Sequence, residues 1–467
     1  MASKEKKGFK MPSAFSILFL IIFAIGIITW FIPGVESASL SQMIMAAPKG
    51  FADAIDVCVF VLCIGGFLGV VNKTGAIDAG IATVVKKMKG NELKLIPILM
   101  LIFSLGGTSY GMCEETMAFY VLIVGTMMAA GFDAMVGAAI ILLGAGVGCL
   151  GSTVNPFAVG AAIDALQGAH PDIVVNQALV IGLGAILWLV TLVISIIYVY
   201  NYAKKIKAGG KSILSSAEIA ASQAEYGKGV ANDVQMTGSQ KVALVLFGLS
   251  FVIMIISLIP WWSFGITMPE ITGILVGIPF GDWYFQELQA WFTLMAIIVG
   301  VVSKMEEKDI VSSFMAGSAD MISVVMVIAV SRGISVLMSE TGLDVFVLEN
   351  ASNLLSGVNG GLFAVCAFFV YIGISFLIPS TSGCAAATMP TFGALTHSIG
   401  LSPEVMIAIF CAAIGVVNLI TPTSAVVMGG TALSKIEYPT WVKFVTKLVV
   451  ILTVVCVVIL SAAMMIL

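Results

Sequence analysis

Charge is what this sequence has least of. Only 10% of its 467 residues are Asp, Glu, Lys or Arg, against about 25% in soluble domains. A soluble enzyme or a nucleic-acid-binding protein of this length does not fit that composition, and no nucleic-acid partner is expected. Histidine is nearly absent. His170 and His397 are too few and too far apart to build a metal centre. Cysteine is present but unpatterned: Cys58, Cys63, Cys113, Cys149, Cys366, Cys384, Cys411 and Cys456 all lie in apolar segments without a Cys-x-x-Cys pair. Neither a metal site nor a disulfide framework is supported. There is no Gly-x4-Gly-Lys-Ser/Thr run. The one sizeable polar stretch, 204–240, is far shorter than the ~100–150 residues of a typical domain. Direct coupling to ATP, a bound cofactor and enzymatic activity are therefore not expected.

What fills the chain is hydrophobic sequence: 60% of residues, with a mean hydropathy of +1.10. Apolar runs of about 20 residues are long enough to cross a bilayer, so the expected fold class is an all-α polytopic membrane protein. The first run, 14–33, follows a Lys-rich start (Lys4, Lys6, Lys7, Lys10) with no clean small-residue cleavage site behind it; it reads as a span rather than a signal peptide. Lysine bias puts the N-terminus in the cytoplasm, the linker 34–50 outside, and the return span 51–72 ends where Lys73, Lys86, Lys87, Lys89 and Lys94 collect. Segments 77–89 and 343–356 are too short to cross and read as interfacial helices. Further spans fall at 176–203, 241–260, 289–303, 319–340 and 440–466. About nine crossings result, with the C-terminus outside.

Two glycine-broken stretches do not read as plain spans. Ser104–Thr116 separates the short apolar segments 93–106 and 112–130, and Ile378–Thr388 separates 360–379 from 384–398. Each reads as the tip of a re-entrant hairpin. Gly111 and Thr116-Met117 in the first match Gly383 and Thr388-Met389 in the second. Two further helices break at Gly151-Ser-Thr-Val-Asn-Pro156 and Thr421-Pro-Thr-Ser424. The hairpin tips match at an offset of 272 residues (383 − 111) and the breaks at 268 (421 − 153); other matches share an offset of 267 (319 − 52, 333 − 66, 341 − 74): Ala52-Asp53 with Ala319-Asp320, Gly66 with Gly333, Thr74-Gly75 with Thr341-Gly342. Lys73 in one copy stands where Glu340 stands in the other, which places the copies in opposite membrane orientation. The expected architecture is an inverted-topology repeat with two re-entrant helical hairpins and two broken transmembrane helices. Residues 1–203 form the first copy (hairpin 93–130, broken helix 134–166) and 204–240 a cytoplasmic linker, with a short surface helix at 215–226. Residues 241–288 form a linking helix and outer loop, and 289–467 the second copy (hairpin 360–398, broken helix 402–434). Inverted repeats with broken helices belong to secondary transporters, since freed backbone at membrane depth needs protein or a water-lined cavity around it.

The breaks are rich in hydroxyls and amides. The candidate substrate-binding residues are Thr108, Ser109, Tyr110, Thr153 and Asn155 in the first copy, and Ser380, Thr381, Ser382, Asn418, Thr421 and Thr423 in the second. Helix N-termini at such breaks offer N–H groups to an anion and C-terminal ends offer carbonyls to Na⁺; a Na⁺ site is expected near Gly107, Asn155, Thr381 and Asn418. Glu114 and Glu115 have Ala386 and Ala387 as repeat partners, so the fold does not require acids there. They suit a guanidinium or ammonium group, Na⁺, a proton, or the N-terminal end of a helix dipole. Adjacent helical residues point about 100° apart, so one of the two faces the site. Arg332, deep in its span opposite Gly65, suits either a substrate carboxylate or a pairing with Asp320 or Glu114. Asp53, Asp133, Asp164 and Asp320 sit near segment ends and read as interfacial. A passive channel is the other class open to such a chain, but no fourfold filter motif or gating-charge helix is present.

The runs 8–15 (GFKMPSAF), 106–116 (GGTSYGMCEET), 148–157 (GCLGSTVNPF) and 418–424 (NLITPTS) resemble the YfcC-type bacterial permeases, grouped with the anaerobic C4-dicarboxylate carriers in the ion transporter superfamily. The resemblance extends over essentially the whole chain. It implies scaffold and transport parts, a homodimer, an elevator-like alternating-access slide, and residence in the bacterial inner membrane. It also implies exchange of basic amino acids of the arginine/ornithine type, with a Na⁺- or H⁺-coupled carboxylate carrier as the alternative. The first tip departs from the Ser-Asn-Thr signatures of the dicarboxylate relatives. It carries Thr108-Ser109-Tyr110 and two glutamates, which fits a cationic substrate.

Overall fold

The computed structural model describes residues 14–77, 79, 80, 83, 91–227, 236–258, 261–355, 360–378 and 380–467. Among them the regular structure is entirely helical, with no strand. The helices are α1 (Ala14–Thr29), α2 (Leu40–Asp53), α3 (Ile55–Lys73), α4 (Leu95–Tyr110), α5 (Tyr120–Ala129), α6 (Ala134–Leu150), α7 (Ala161–Ala169), α8 (Gln177–Lys207), α9 (Ser216–Tyr226), α10 (Gly238–Leu258), α11 (Phe285–Val302), α12 (Glu307–Asp320), α13 (Ile322–Thr341), α14 (Leu343–Leu355), α15 (Gly360–Leu377), α16 (Thr381–Ser398), α17 (Pro403–Asn418), α18 (Ala425–Leu433) and α19 (Tyr438–Ile466). Seven of the described helices are long and apolar enough to cross a membrane. The chain is an all-α polytopic membrane protein.

Two helices lie where no helix is expected from apolar length. The stretch read as the outer linker 34–50 holds most of α2, and 304–318 holds most of α12. Ser39 starts α2 through a capping box with Gln42, each side chain taking the other's backbone N–H, which satisfies two orphan donors at once. The acids Glu307 and Asp309 open α12, where negative charge favours the helix dipole. The expected interfacial helix 77–89 lies largely outside the described residues.

The helices sort into two bundles by their packing. The first holds α1–α3 and α10–α14; the second holds α4–α9 and α15–α19. They meet where α13 packs on α18, where residues 114–119 pack on α3, and where α14 packs on α15 and α16. Within the first bundle the packing is reciprocal: α2 lies on α13 while α12 lies on α3. Both crossings depend on glycine. A Cβ on Gly50 would sit 2.3 Å from the Gly333 nitrogen, and one on Gly317 would sit 2.2 Å from the Gly65 carbonyl. In the absence of a hydrophobic drive between helices in lipid, such small-residue contacts are what lets backbones pack closely. The helices α2 and α12 begin and end 267 residues apart (307 − 40 and 320 − 53). In the second bundle α4 packs on α6 and α8, as α15 packs on α17 and α19.

Candidate transport site

A cavity of about 190 Å³ lies between the two bundles. From the first bundle come the α2–α3 junction (Ala54, Val57), the start of α11 (Tyr284, Phe285) and the middle of α13 (Ile328, Arg332). The rest of its wall comes from the second bundle: the inner faces of α6 (Leu142, Ala145) and α17 (Cys411, Ile414), and the helix ends and breaks beside them.

The glycine-broken end of α4, read from sequence as a hairpin tip, is held by its own polar groups. Gly111 ends α4 in the left-handed region at φ 80°. A side chain there would be strained, and its Cβ would meet the Asn155 amide at 2.6 Å. Thr108 Oγ1 donates to the Gly151 carbonyl at 2.6 Å, and Thr153 returns both its N–H and its hydroxyl to the Thr108 carbonyl at 2.9 Å. These two threonines tie the end of α4 to the break after α6, and neither lines the cavity. Ser109 donates back to Leu105 in its own helix. Gly107 sits in the α4–α6 crossing, where a Cβ would be 2.3 Å from the Ala145 carbonyl. The side chains of Tyr110, Glu114 and Glu115 lie outside the described residues. The backbone at 114–119 forms a 3₁₀ turn.

Asn155 lines the cavity and is buried. Its Oδ1 accepts from the Phe157 and Ala158 N–H groups at 3.0 and 3.3 Å, and its Nδ2 donates to Ser152 Oγ at 2.9 Å. It therefore caps the turn that resumes the broken helix. Cys113 and Cys149, with sulfurs 3.3 Å apart, and Cys411 add soft apolar wall.

The breaks before α16 and α18 present helix N-termini instead. Ser380 caps α16 and Ser424 caps α18, each hydroxyl accepting one N–H from the first turn. The first N–H groups of a helix have no intrahelical acceptor, and the residues that carry them, Thr381-Ser382 and Ala425-Val426, line the cavity. The hydroxyls of Thr381 and Ser382 and the amide of Asn418 have no hydrogen-bond partner among the described residues. Thr423 also lines the cavity, its hydroxyl 2.8 Å from that of Thr421, which stands behind it.

Arg332 pairs with Asp53, Nε to Oδ2 at 2.7 Å, and not with Asp320. Apolar span reading placed Asp53 at an interface. Asp53 ends α2 beside the cavity, where Ala54 lines the wall, because α2 packs along α13. Lys49 and Glu340 form a second ion pair on the same two helices. The aromatic wall, Phe157 against Tyr284 with ring centroids 5.2 Å apart, was not among the candidate residues, although Phe157 closes the run 148–157.

The cavity thus gathers two helix N-termini and a guanidinium, which favour anions. It also gathers the C-terminal ends of α4, α6 and α17, whose carbonyls suit a cation. A multi-pass helical chain with such a site is a membrane transporter and not an enzyme. Residues 37–465 match the family model of DcuC, described as the C4-dicarboxylate anaerobic carrier, and the chain belongs to that family. It is a secondary transporter of this kind.

A protein of Haemophilus influenzae with no assigned function is 29% identical over 96% of this chain and 96% of its own. The Escherichia coli K12 protein YfcC, provisionally named a basic amino acid antiporter, is 27% identical over 84% of this chain and 74% of its own. Among solved structures, MtrF of Neisseria gonorrhoeae, described within a class of antimetabolite efflux pumps, is similar with a TM-score of 0.44 at 16% identity, over 98% of this chain and 96% of its own. The YdaH transporter of Alcanivorax borkumensis gives 0.46 at 14% identity, over 97% and 98%.

Proposed function

We propose that the chain is a secondary active carrier of a small carboxylate-bearing metabolite. The carboxylate sits between the N-termini of α16 and α18, and the second bundle carries it in an elevator-like slide along the first. The supporting observation is the meeting of Thr381-Ser382, Ala425-Val426 and Arg332 on one cavity. A volume of about 190 Å³ is below the ~300–1,000 Å³ of drug-sized sites, so the substrate has few heavy atoms. Helix ends on one bundle with a packed wall on the other suit a substrate that travels with its ligands. In this reading Asn155, Asn418 and Thr423 ligate its remaining polar groups, a coupling Na⁺ takes carbonyls near Gly107, Asn155, Thr381 and Asn418, and H⁺ is the other coupling ion. The two copies lie in opposite orientation in the bacterial inner membrane, N-terminus inside and C-terminus outside, and the carrier works as a homodimer.

A second reading, exchange of basic amino acids, has its own support. Gly111 and Cys113 line the cavity, so the Glu114-Glu115 segment begins at its wall, and the E. coli relative carries that name. The α-carboxylate would then take the helix N-termini and one glutamate the side-chain cation.

Counterflow in proteoliposomes tests both. Succinate or fumarate accumulated against internal dicarboxylate supports the carboxylate reading with two acid groups. Labelled arginine retained only by internal arginine or ornithine supports the second. Transport of a cation lacking any carboxylate, with neither of those, overturns the carboxylate site altogether. Linear, unsaturable flux would indicate a channel.

A further inference from the structure

We propose a second binding site, for the headgroup phosphates of an anionic phospholipid, in a groove between the end of α8 and the start of α19. The groove encloses about 1,090 Å³. Lys205, Lys211, Lys443 and Lys447 line it, and no Asp or Glu does. None of these four lysines forms an ion pair among the described residues. Pairing is available to their neighbours: Lys207 meets Glu92 at 3.7 Å and Lys435 meets Glu225 at 3.4 Å. Four like charges converge on one groove whose lining holds no carboxylate, with only Asp133 beneath its floor, bonded to Tyr202 and Ser212, to offset them; the net positive charge sets up an anion site.

The floor of the groove is constructed, not a loose loop. Asp133 Oδ2 accepts hydrogen bonds from Tyr202 Oη and Ser212 Oγ, both at 2.6 Å. The Ile213 N–H donates to Tyr202 Oη at 3.2 Å. This pins the turn after α8 and points the chain into α9, whose capping residue Ser215 and first residue Ser216 also line the groove. The nearest carboxylate on α9, Glu218, is occupied by the backbone N–H groups of Ser215 and Glu437 at 2.7 and 2.9 Å.

Depth selects a lipid over free phosphate. The 31 residues of α8 span about 46 Å at 1.5 Å per residue, against about 30 Å of hydrocarbon. Its lysine end projects past the acyl region. At the level of Lys443 and Lys447, Tyr198 donates to the Phe444 carbonyl at 2.5 Å. The Tyr202 and Phe444 ring centroids stand 5.0 Å apart. Aromatic rings at this level mark the membrane interface, and basic pockets between helices on the cytoplasmic side suit anionic headgroups. Four lysines fit a headgroup with two phosphates, such as diphosphatidylglycerol.

The test uses the full chain in detergent. Diphosphatidylglycerol is titrated against phosphatidylcholine, with bound lipid read by native mass spectrometry and melting by thermal shift. Diphosphatidylglycerol is retained and raises the melting temperature; phosphatidylcholine does neither. The variant Lys443→Gln with Lys447→Gln binds it roughly 30-fold more weakly, at about fivefold per lysine near an anionic surface. Lys308→Gln, away from the groove, binds as wild type. Equal retention of the two lipids overturns the site, as does unchanged affinity in a double variant with wild-type melting. A shift from inorganic phosphate as large as that from the lipid overturns the lipid assignment.

Discussion

Arg332 is the cavity's one guanidinium among the described residues, and its removal tests the carboxylate site directly. A hydrogen bond to a charged group contributes about 1.5–3 kcal/mol. Arg332 keeps 29% of its side chain exposed and already shares its charge with the half-exposed Asp53, so the low end applies. Arg332→Ala should weaken binding of a carboxylate substrate by roughly tenfold, at about 1.4 kcal/mol per factor of ten. Asp53 competes with the substrate for the same guanidinium. Screened pairs of this exposure contribute about 0.2–1 kcal/mol, so Asp53→Asn should tighten binding by roughly 1.4- to 5-fold. The double variant should match Arg332→Ala alone, because Asp53 acts only through Arg332, and coupling within a contacting pair is what the cycle isolates. The assay is isothermal titration of the purified variants with the substrate identified by counterflow. Wild-type affinity in Arg332→Ala would refute the role of Arg332. Equal weakening by Asp53→Asn would refute the competition and make Asp53 a structural partner.

Glu114→Gln with Glu115→Gln should abolish counterflow of a cationic amino acid and leave a purely dicarboxylate substrate unaffected; unchanged arginine flux removes the second reading. Gly50→Ala drives a Cβ to within 2.3 Å of the Gly333 nitrogen and 2.4 Å of the Ala329 carbonyl. Both are backbone atoms that cannot rotate away. A loss of about 1–3 kcal/mol should appear as a lower melting temperature in detergent, while Gly182→Ala, which meets open space, should melt as wild type. Burial pushes the Glu218 carboxyl up, but the hydrogen bonds from Ser215, Glu437 and Thr440 outweigh it and hold the group below its usual 4.5. A lowered folded value means that its stabilisation is complete above 4.5 and is lost as pH falls through the folded value. Pepsin cleavage around α9 should therefore rise in that window, and Glu218→Gln should flatten the rise.

The breaks were legible in the sequence because glycine, proline and hydroxyl clusters interrupt apolar runs there and nowhere else so densely. Helices α4, α6, α16, α17 and α18 end or begin at those motifs. The helices α2 and α12 were not legible by apolar length, since Pro48, Lys49 and the charged start of α12 fall below what a span requires. Their signals were local instead: the Ser39–Gln42 capping box and the acids at 307 and 309. Which helices pack together is not a property of any single segment. The pair Asp53–Arg332 joins residues 279 positions apart (332 − 53), and it exists only because Gly50 lets α2 lie against α13. Within the motifs, composition could not separate Thr108 and Thr153, which bind each other, from Thr381, Ser382 and Asn418, which are left open to the cavity.

The two halves of the second bundle supply unlike chemistry to the cavity. The C-terminal half brings two capped N-termini with open hydroxyls. The N-terminal half brings an Asn155 already occupied in capping, the thiols of Cys113 and Cys149, and the left-handed Gly111. Under the proposed repeat Arg332 stands opposite a glycine, Gly65. Alternating access needs two states of similar packing energy, since a ligand can shift an equilibrium only by its differential affinity. Reciprocal glycine crossings in the first bundle supply a wall of that kind. Substrate recognition needs the opposite, a fixed polarity that orients one end of the molecule. Under the proposed slide the scaffold therefore keeps its symmetry, and the asymmetry is confined to the helix ends and to Arg332. On the carboxylate-carrier proposal, the charge at positions 114, 115 and 332 selects among small carboxylates without any change to the crossings of the first bundle.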